Sequence, residues 1–162
     1  MIQFTVMDLS AVFSSNLYNK IKDGDSMLNR EVEQQLIKTI NEQLNPAFII
    51  LFGSFAKETA RQDSDIDLAY FSEQQLSSYE RFTLAGDLAI LSGREVDLVD
   101  IKQIDTVFTM QIFSEGVPIY IKNENEFSRQ KMRAYSMYAT LNEQRAPIID
   151  AIKERGSVFG DE

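Results

Sequence analysis

The pattern of apolar and polar residues predicts that helices and strands alternate along the chain. Apolar residues at four-residue steps predict an amphipathic helix over 9–22, which ends at Asp23-Gly24-Asp25. The same spacing predicts a second helix over 28–44, which Pro46 stops. The stripe of the first helix is Leu9, Phe13, Leu17 and Ile21, and the stripe of the second is Leu28, Val32, Leu36, Ile40 and Leu44.

Short apolar runs further along the chain indicate strands at 47–52, 68–71, 95–101 and 119–121. The last strand is expected at a sheet edge, because a proline precedes it. Helical spacing returns at 74–92, at 106–114 behind the cap Asp105, and from 124 onward until Pro147 interrupts it before a second short helix. The apolar side predicted for helix 74–92 is Leu76, Tyr79, Phe82, Gly86, Ala89 and Ile90. We therefore expect an α/β (α+β) fold, with a small mixed β-sheet of about four strands and helices packed mainly on one face.

The segment 53–67 is the strongest indication of chemistry. A buried apolar run ends at Gly53-Ser54, a polar loop follows, and Asp65 and Asp67 open the next apolar run. Side chains at i and i+2 of a strand project from the same face, so the two carboxylates are expected a few Å apart. Such a pair of like charges is costly unless a cation lies between them. The spacing therefore predicts a cation site, and magnesium is the expected ion.

Gly53 and Ser54 are suited to binding phosphate. Glycine lets the backbone approach a ligand closely, and the serine hydroxyl and following N–H groups can bind anionic oxygens. A phosphate site and a metal site on adjacent strands fit a nucleoside triphosphate with its magnesium ions. An acidic, solvated loop is the alternative, but it leaves the shared face of the two acids unexplained.

Gly53-Ser54, ten residues and then Asp-x-Asp resemble the signature of the polymerase-beta-type nucleotidyltransferase superfamily. The chain resembles the minimal nucleotidyltransferases (MNT) of this superfamily in its short length and in its sequence Asp-Ser-Asp-Ile-Asp-Leu at 63–68. Those proteins are the antitoxins of bacterial pairs whose toxin is a HEPN-domain ribonuclease. The resembling family begins near the second helix. We therefore expect an N-terminal extension at 1–26, a nucleotidyltransferase core at 27–123 and C-terminal helices at 124–162. The extension is either an added packing helix or precedes a biological start at Met27.

The resemblance also implies the roles of individual residues. Asp97, in the run 95–101, matches the family's third acid, so Asp65, Asp67 and Asp97 are the expected catalytic and metal-binding residues, holding two Mg²⁺ ions. Asp100 is out of step with Asp97 and is expected to end the strand.

Nucleotide binding is expected at Gly53 and Ser54, with Lys57 and Arg61 adding positive charge against the triphosphate. Ser64 is expected to fix the turn through a side-chain-to-backbone bond. Arg94 is a weaker candidate, either for phosphate or for structural pairing.

The activity implied by the resemblance is transfer of AMP from ATP to a tyrosine of a cognate HEPN toxin, which neutralises the toxin. The toxin is expected to be dimeric and to form a hetero-oligomer with this chain. Two other functions stay open: an aminoglycoside-type small-molecule nucleotidyltransferase, and an antitoxin that binds and occludes its toxin without catalysis.

The amino-acid composition limits the kinds of catalysis, partner and cellular location that the chain can have. The 162 residues suit one domain, and with neither cysteine nor histidine any catalysis must rely on carboxylates and bound metal. The net charge of −9 argues against a nucleic-acid partner, since such surfaces need a basic field. No apolar stretch approaches the length of a membrane-spanning helix. The N-terminus does not resemble a signal peptide, because Asp8 interrupts its apolar residues. A cytoplasmic protein is expected.

Overall fold

The computed structural model of the chain describes residues 28–155, so the helix expected at 9–22 and the polar tail after 155 lie outside the described residues. The helices are α1 (Arg30–Leu44), α2 (Gly53–Ala56), α3 (Ser78–Ser92), α4 (Thr106–Glu115) and α5 (Glu124–Arg155), with a short 3-10 turn at Ile101–Gln103. The strands are β1 (Phe48–Phe52), β2 (Ile66–Phe71), β3 (Val96–Asp100) and β4 (Val117–Ile121). Within this part of the chain, no helix combines the length and the apolar character needed to cross a membrane.

The four strands form one mixed sheet in the order β3-β2-β1-β4. Strand β1 is antiparallel to β2 and β4, and β2 is parallel to β3. The predicted mixed sheet of about four strands is confirmed, as is the edge position of the last strand. Pro118 lies inside β4, where an edge strand has one side with no ladder partner to lose.

Helices cover both faces of the sheet, so the prediction of one main covered face is wrong. Alternate residues of β1 point into two separate cores. Ile49 and Leu51 join the core beneath α1 and α3, while Phe48 and Ile50 join the core beneath α4 and α5. Because β1 is apolar at every position, it is buried from both sides.

The predicted helix over 74–92 begins later, at Ser78, and buries a different side. Ser77 caps it and forms a capping box with Glu80. Leu84 and Leu88 are fully buried against the sheet, whereas Tyr79, Phe82 and Ile90 from the predicted apolar side are exposed. Helix α3 carries apolar residues on opposite sides, and periodicity alone does not say which side meets the core.

Pro147 does not break the C-terminal helix, contrary to the sequence-based prediction. Helix α5 runs unbroken from Glu124 to Arg155 with the proline inside it. Proline removes one backbone N–H, so a carbonyl one turn earlier loses its partner. Residues 142–150 are all exposed, which lets water satisfy that carbonyl.

Candidate active site

The end of β1 and the start of α2 place glycine backbone against a carboxylate. Gly53 has a positive φ of 69°, which favours glycine over residues with a Cβ. A Cβ built on Gly53 would overlap the Asp67 carboxylate, meeting Oδ2 first and then Cγ at 3.0 Å. Antiparallel pairing causes this contact, because Phe52 lies opposite Asp67. Only a glycine at position 53 allows the chain to turn directly over Asp67.

Three acids gather at the same end of the sheet. Asp67 of β2 is the register partner of Asp97 in parallel strand β3, and Asp65 precedes β2 directly. The pKa of the Asp67 carboxyl is raised from 3.8 to about 6, chiefly by burial and in addition by the negative charges of Asp97 and Asp65. Asp65 and Asp97 are exposed, and Asp67 is half-buried. Asp67 is thus the acid whose charge the fold opposes most clearly.

The donor set at this end of the sheet fits magnesium. Carboxylate oxygens are hard ligands, and a divalent cation would relieve the repulsion that raises the pKa of Asp67. In the span from 28 to 155, no three Asp, Glu, His or Cys side chains already stand close enough to form a ready metal cage. The fit therefore rests on donor chemistry and on the mutual repulsion of Asp65, Asp67 and Asp97.

Arg94 fastens the loop that leads to Asp65. Its Nη1 donates to the backbone carbonyls of Gln62 at 2.8 Å, Ser64 at 3.0 Å and Arg61 at 3.1 Å. The guanidinium also lies over the ring of buried Phe55 in α2, 5.2 Å from its centroid. Of the two roles considered for Arg94 from the sequence, the structure shows structural pairing. We call these contacts the Arg94 clamp.

The other predicted loop residues have distinct environments. Ser64 accepts a hydrogen bond from the Arg61 N–H at 2.7 Å, so its turn-fixing role is confirmed. Lys57 forms an ion pair with Glu115 of α4 at 2.7 Å, and both side chains are about half exposed. The side chain of Arg61 is exposed. Contact of Lys57 or Arg61 with a triphosphate stays a prediction.

Sequence reasoning missed the extent of the Arg94 clamp and the partner of Lys57. Glu115 lies 58 positions beyond Lys57 in the printed sequence, and no local pattern connects the two. Arg94 did carry a signal, because it stands directly between the helix-ending Gly93 and the β3 strand. An arginine just before one of two parallel strands has a side chain long enough to reach the loop that precedes the other strand.

The sequence and the fold of the chain are similar to those of known proteins. Residues 34–125 match the polymerase beta nucleotidyltransferase family, and the chain belongs to that family. Within it, the chain is similar to the protein adenylyltransferase MntA of Shewanella oneidensis. The two are 31% identical over 121 residues, which is 74% of this chain and 86% of MntA.

Two solved structures extend the similarity to three dimensions. A crystal structure of a toxin–antitoxin with AMP-PNP matches with a TM-score of 0.68 and 30% identity, over 75% of this chain and 98% of the matched one. A tri-AMPylated Shewanella oneidensis HEPN toxin in complex with its MNT antitoxin matches with a TM-score of 0.65 and 28% identity, over 76% and 98%. The resemblance to minimal nucleotidyltransferase antitoxins is confirmed.

Proposed function

We propose that this chain is an antitoxin that transfers AMP from ATP to a tyrosine hydroxyl of a cognate HEPN-domain ribonuclease, neutralising it. The observation that carries the proposal is the contact of Gly53 backbone with the Asp67 carboxylate, with Asp97 in register beside it. The similar proteins named above support the acceptor, since one of them is a complex with a tri-AMPylated HEPN toxin. We take ATP as the AMP donor and the toxin as the partner in a hetero-oligomer.

The phosphates of ATP would lie at the start of α2. Gly53 begins α2, and the first N–H groups of a helix have no partner within it, while Ser54 adds a hydroxyl. These groups would hold the β- and γ-phosphates, while Lys57 and Arg61 would supply positive charge nearby. Lys57 also forms an ion pair with Glu115 of α4.

Asp65, Asp67 and Asp97 would together hold the Mg²⁺ ions. Bound magnesium neutralises phosphate charge, lowers the pKa of the attacking hydroxyl and stabilises the leaving pyrophosphate. The Arg94 clamp would hold Asp65 in position for this role by fixing the carbonyls of three of the four residues before it. The half-buried Asp67 is in register with Asp97 and two residues from Asp65, and the charges of both raise its pKa.

The bond changes are those of nucleotidyl transfer. The tyrosine oxygen attacks the α-phosphorus, and the bond from this phosphorus to the oxygen of the β-phosphate breaks, releasing pyrophosphate. Asp97 accepts the phenolic proton. Its exposure suits this role, because a protein substrate has to reach it from solvent.

The experiment is intact-mass measurement of a purified HEPN toxin after incubation with this protein, ATP and magnesium. We expect mass gains in whole AMP units together with loss of ribonuclease activity. The Asp65→Asn/Asp67→Asn variant should give no mass gain. Asp63→Asn is the control, because Asp63 is an exposed acid of the same loop and its substitution removes one negative charge where the double variant removes two.

The outcomes separate the competing functions. An unmodified toxin that is nevertheless inactive in the complex would overturn catalysis in favour of occlusion. If no complex forms and no mass gain occurs, the small-molecule nucleotidyltransferase becomes the better account. Equal loss of transfer in Asp63→Asn would point to loop charge in general and not to the paired acids.

A further inference from the structure

The outer side of α3 is apolar and exposed. Tyr79, Phe82 and Ile90 have 77%, 78% and 82% of their surface accessible. Together with Gly86 they lie at helical spacing on one side, opposite Leu84 and Leu88, which are buried. We call Tyr79, Phe82, Gly86 and Ile90 the outer face of α3. Single exposed apolar residues are ordinary, but a continuous row on one helix indicates a surface that another element covers.

Gly86 lies in the middle of this row. A glycine inside a helix is roughly 1 kcal/mol less favourable than alanine. A Cβ added at Gly86 would meet nothing within 4 Å, so packing within residues 28–155 does not require the glycine. A missing side chain does allow a second helix to approach closely, with Phe82 and Ile90 on either side of the contact.

From these observations we propose that the segment before residue 28 covers the outer face of α3, with residues 9–22 packed along it as a helix. The solved relatives leave this chain with extra sequence, since one matches over 98% of its own length but only 75% of this chain. Residues 1–27 lie outside the described part of the chain and include the apolar stripe predicted over 9–22, so we assign this segment to the surface that the described residues leave open.

The lengths agree with this placement. Leu28 is buried in the same core as Leu84 and Leu88, and α1, which begins two residues after it, packs against α3. Residues 23–27 can span roughly 17 Å when extended. That is enough to pass around a helix whose diameter is about 10 Å. A helix over 9–22 would be about 21 Å long, close to the roughly 22 Å of α3.

Charge and apolar pattern also agree. Between residues 9 and 22 the charged side chains are Lys20 and Lys22, with no acid. The exposed acids of α3 are Glu80 and Asp87. The predicted stripe, Leu9, Phe13, Leu17 and Ile21, would thus meet an apolar row bordered by charges of opposite sign.

The test uses the absence of cysteine from the chain. Thr83→Cys places a single thiol at the margin of the outer face, and its alkylation rate by a water-soluble maleimide reports access to that face. Adding Leu17→Asp should speed labelling by about tenfold or more, which corresponds to roughly 1.4 kcal/mol in favour of the covered state. Ser15→Asp should leave the rate unchanged, because position 15 is opposite the stripe. A single Cys at the exposed Ser136 of α5 should label at one rate throughout, which checks that the fold is intact.

Equal labelling of Thr83→Cys with and without Leu17→Asp, and also with Phe13→Asp, would overturn the proposal. Slow labelling that persists in both variants and depends on protein concentration would assign the face to a second copy of the chain. Protection that arises only on adding a HEPN toxin would assign it to the partner. The assay needs neither nucleotide nor acceptor, so its result is independent of the transfer reaction.

Discussion

At the scale of single residues, the contact between Gly53 and Asp67 sets the chemistry of this end of the sheet. The glycine turns the backbone over the carboxylate, and the carboxylate is thereby partly withdrawn from water beside two other acids. Each residue constrains the other. A larger residue at 53 would displace Asp67, and displacement of Asp67 would separate it from Asp97.

Gly53→Ala should abolish AMP transfer, because the new Cβ would occupy the position of the Asp67 carboxylate. Gly93→Ala is the matched control. Gly93 has almost the same φ, 68°, but no atom within 4 Å of an added Cβ. Both variants should lose about 1–2 kcal/mol of unfolding free energy from the positive φ. Only Gly53→Ala should lose transfer, measured by toxin mass; equal activity in the two variants would contradict the contact.

Stability should depend on pH through Asp67. Its pKa is raised to about 6 in the folded chain, so between roughly pH 4 and 6 the folded state holds a proton that the unfolded state releases. The contribution of this bound proton to the stability of the folded chain is complete below pH 4 and is lost as pH rises through 6. In EDTA, Asp67→Asn should gain on the order of 1 kcal/mol of unfolding free energy over the parent at pH 7.5, a modest gain because water screens the half-exposed carboxylate. At pH 4 it should gain nothing, because the parent carboxyl is then protonated in the folded chain. Urea unfolding at both pH values measures this; Asp63→Asn should show no such difference.

Several of the site residues were accessible to sequence reasoning because their spacing is local. Asp65 and Asp67 alternate along one strand, and the Gly53-Ser54 pair ends the preceding apolar run. The contact of Gly53 with Asp67 was not accessible, because it depends on the antiparallel register of two strands. The raised pKa of Asp67 likewise depends on Asp97, which a parallel crossover brings alongside.

At the scale of elements, the loop 57–65 is the least regular part of the site, and the Arg94 clamp orders it. One guanidinium joins three loop carbonyls to the ring of Phe55 and so connects the loop, α2 and the start of β3. A planar, multiply donating group is needed for this geometry, and an ammonium does not reproduce it.

Arg94→Lys should therefore slow AMP transfer by about tenfold, with a loss of roughly 1–2 kcal/mol in unfolding free energy from the missing hydrogen bonds. Hydrogen exchange of the backbone amides at 61–65 should accelerate in the variant. Arg129→Lys is the control, since Arg129 pairs with Glu126 on the exposed side of α5. Unchanged exchange in the loop of Arg94→Lys would show that the clamp does not order it.

Helix α5 offers a second prediction at this scale. Pro147→Ala restores one backbone N–H in an exposed helix interior, so the last turns should become more stable by up to about 3 kcal/mol locally. Amide exchange at 148–152 should slow, while exchange near Phe127 should not change. Faster exchange after the substitution would mean that the helix needs the proline.

The elements show where local pattern is sufficient and where it is not. The strands were recovered because apolar runs bounded by Gly, Pro and Asp have few alternatives. The buried side of α3 was missed because both sides of that helix are apolar. The predicted interruption at Pro147 was wrong because the helix is exposed there. Water can satisfy the carbonyl that the proline leaves without a partner, and the sequence alone does not show that exposure.

At the scale of the whole molecule, the sheet separates two cores that share β1. Phe48 is fully buried and contacts three aromatic rings: it stacks on Phe71 with centroids 5.5 Å apart, meets Phe127 edge-on at 5.0 Å, and packs against Phe113 at 5.8 Å. This cluster attaches α4 and α5 to the sheet, on the face opposite α1 and α3.

Phe48→Ala should cost about 3–5 kcal/mol of unfolding free energy, in the range for large core truncations. Because both cores share one strand, unfolding should remain a single transition, and urea melts followed by far-UV circular dichroism and by tyrosine fluorescence should coincide. Lys38→Ala, an exposed change on α1, should cost little. Two separated transitions in Phe48→Ala would show that the two cores unfold independently.

The pattern of acidic and apolar residues in β2 disfavours incorrect strand pairing when the sheet forms. A slip of one residue would turn every side chain of β2 to the opposite face, sending Asp67 into the apolar layer under α1 and α3 and Leu68 out of it. Burying an unpaired carboxylate there is far costlier than losing a methyl contact. The acids that we propose for catalysis therefore also disfavour misaligned pairings during folding, so that a chain able to close its sheet has already placed Asp67 beside Asp97.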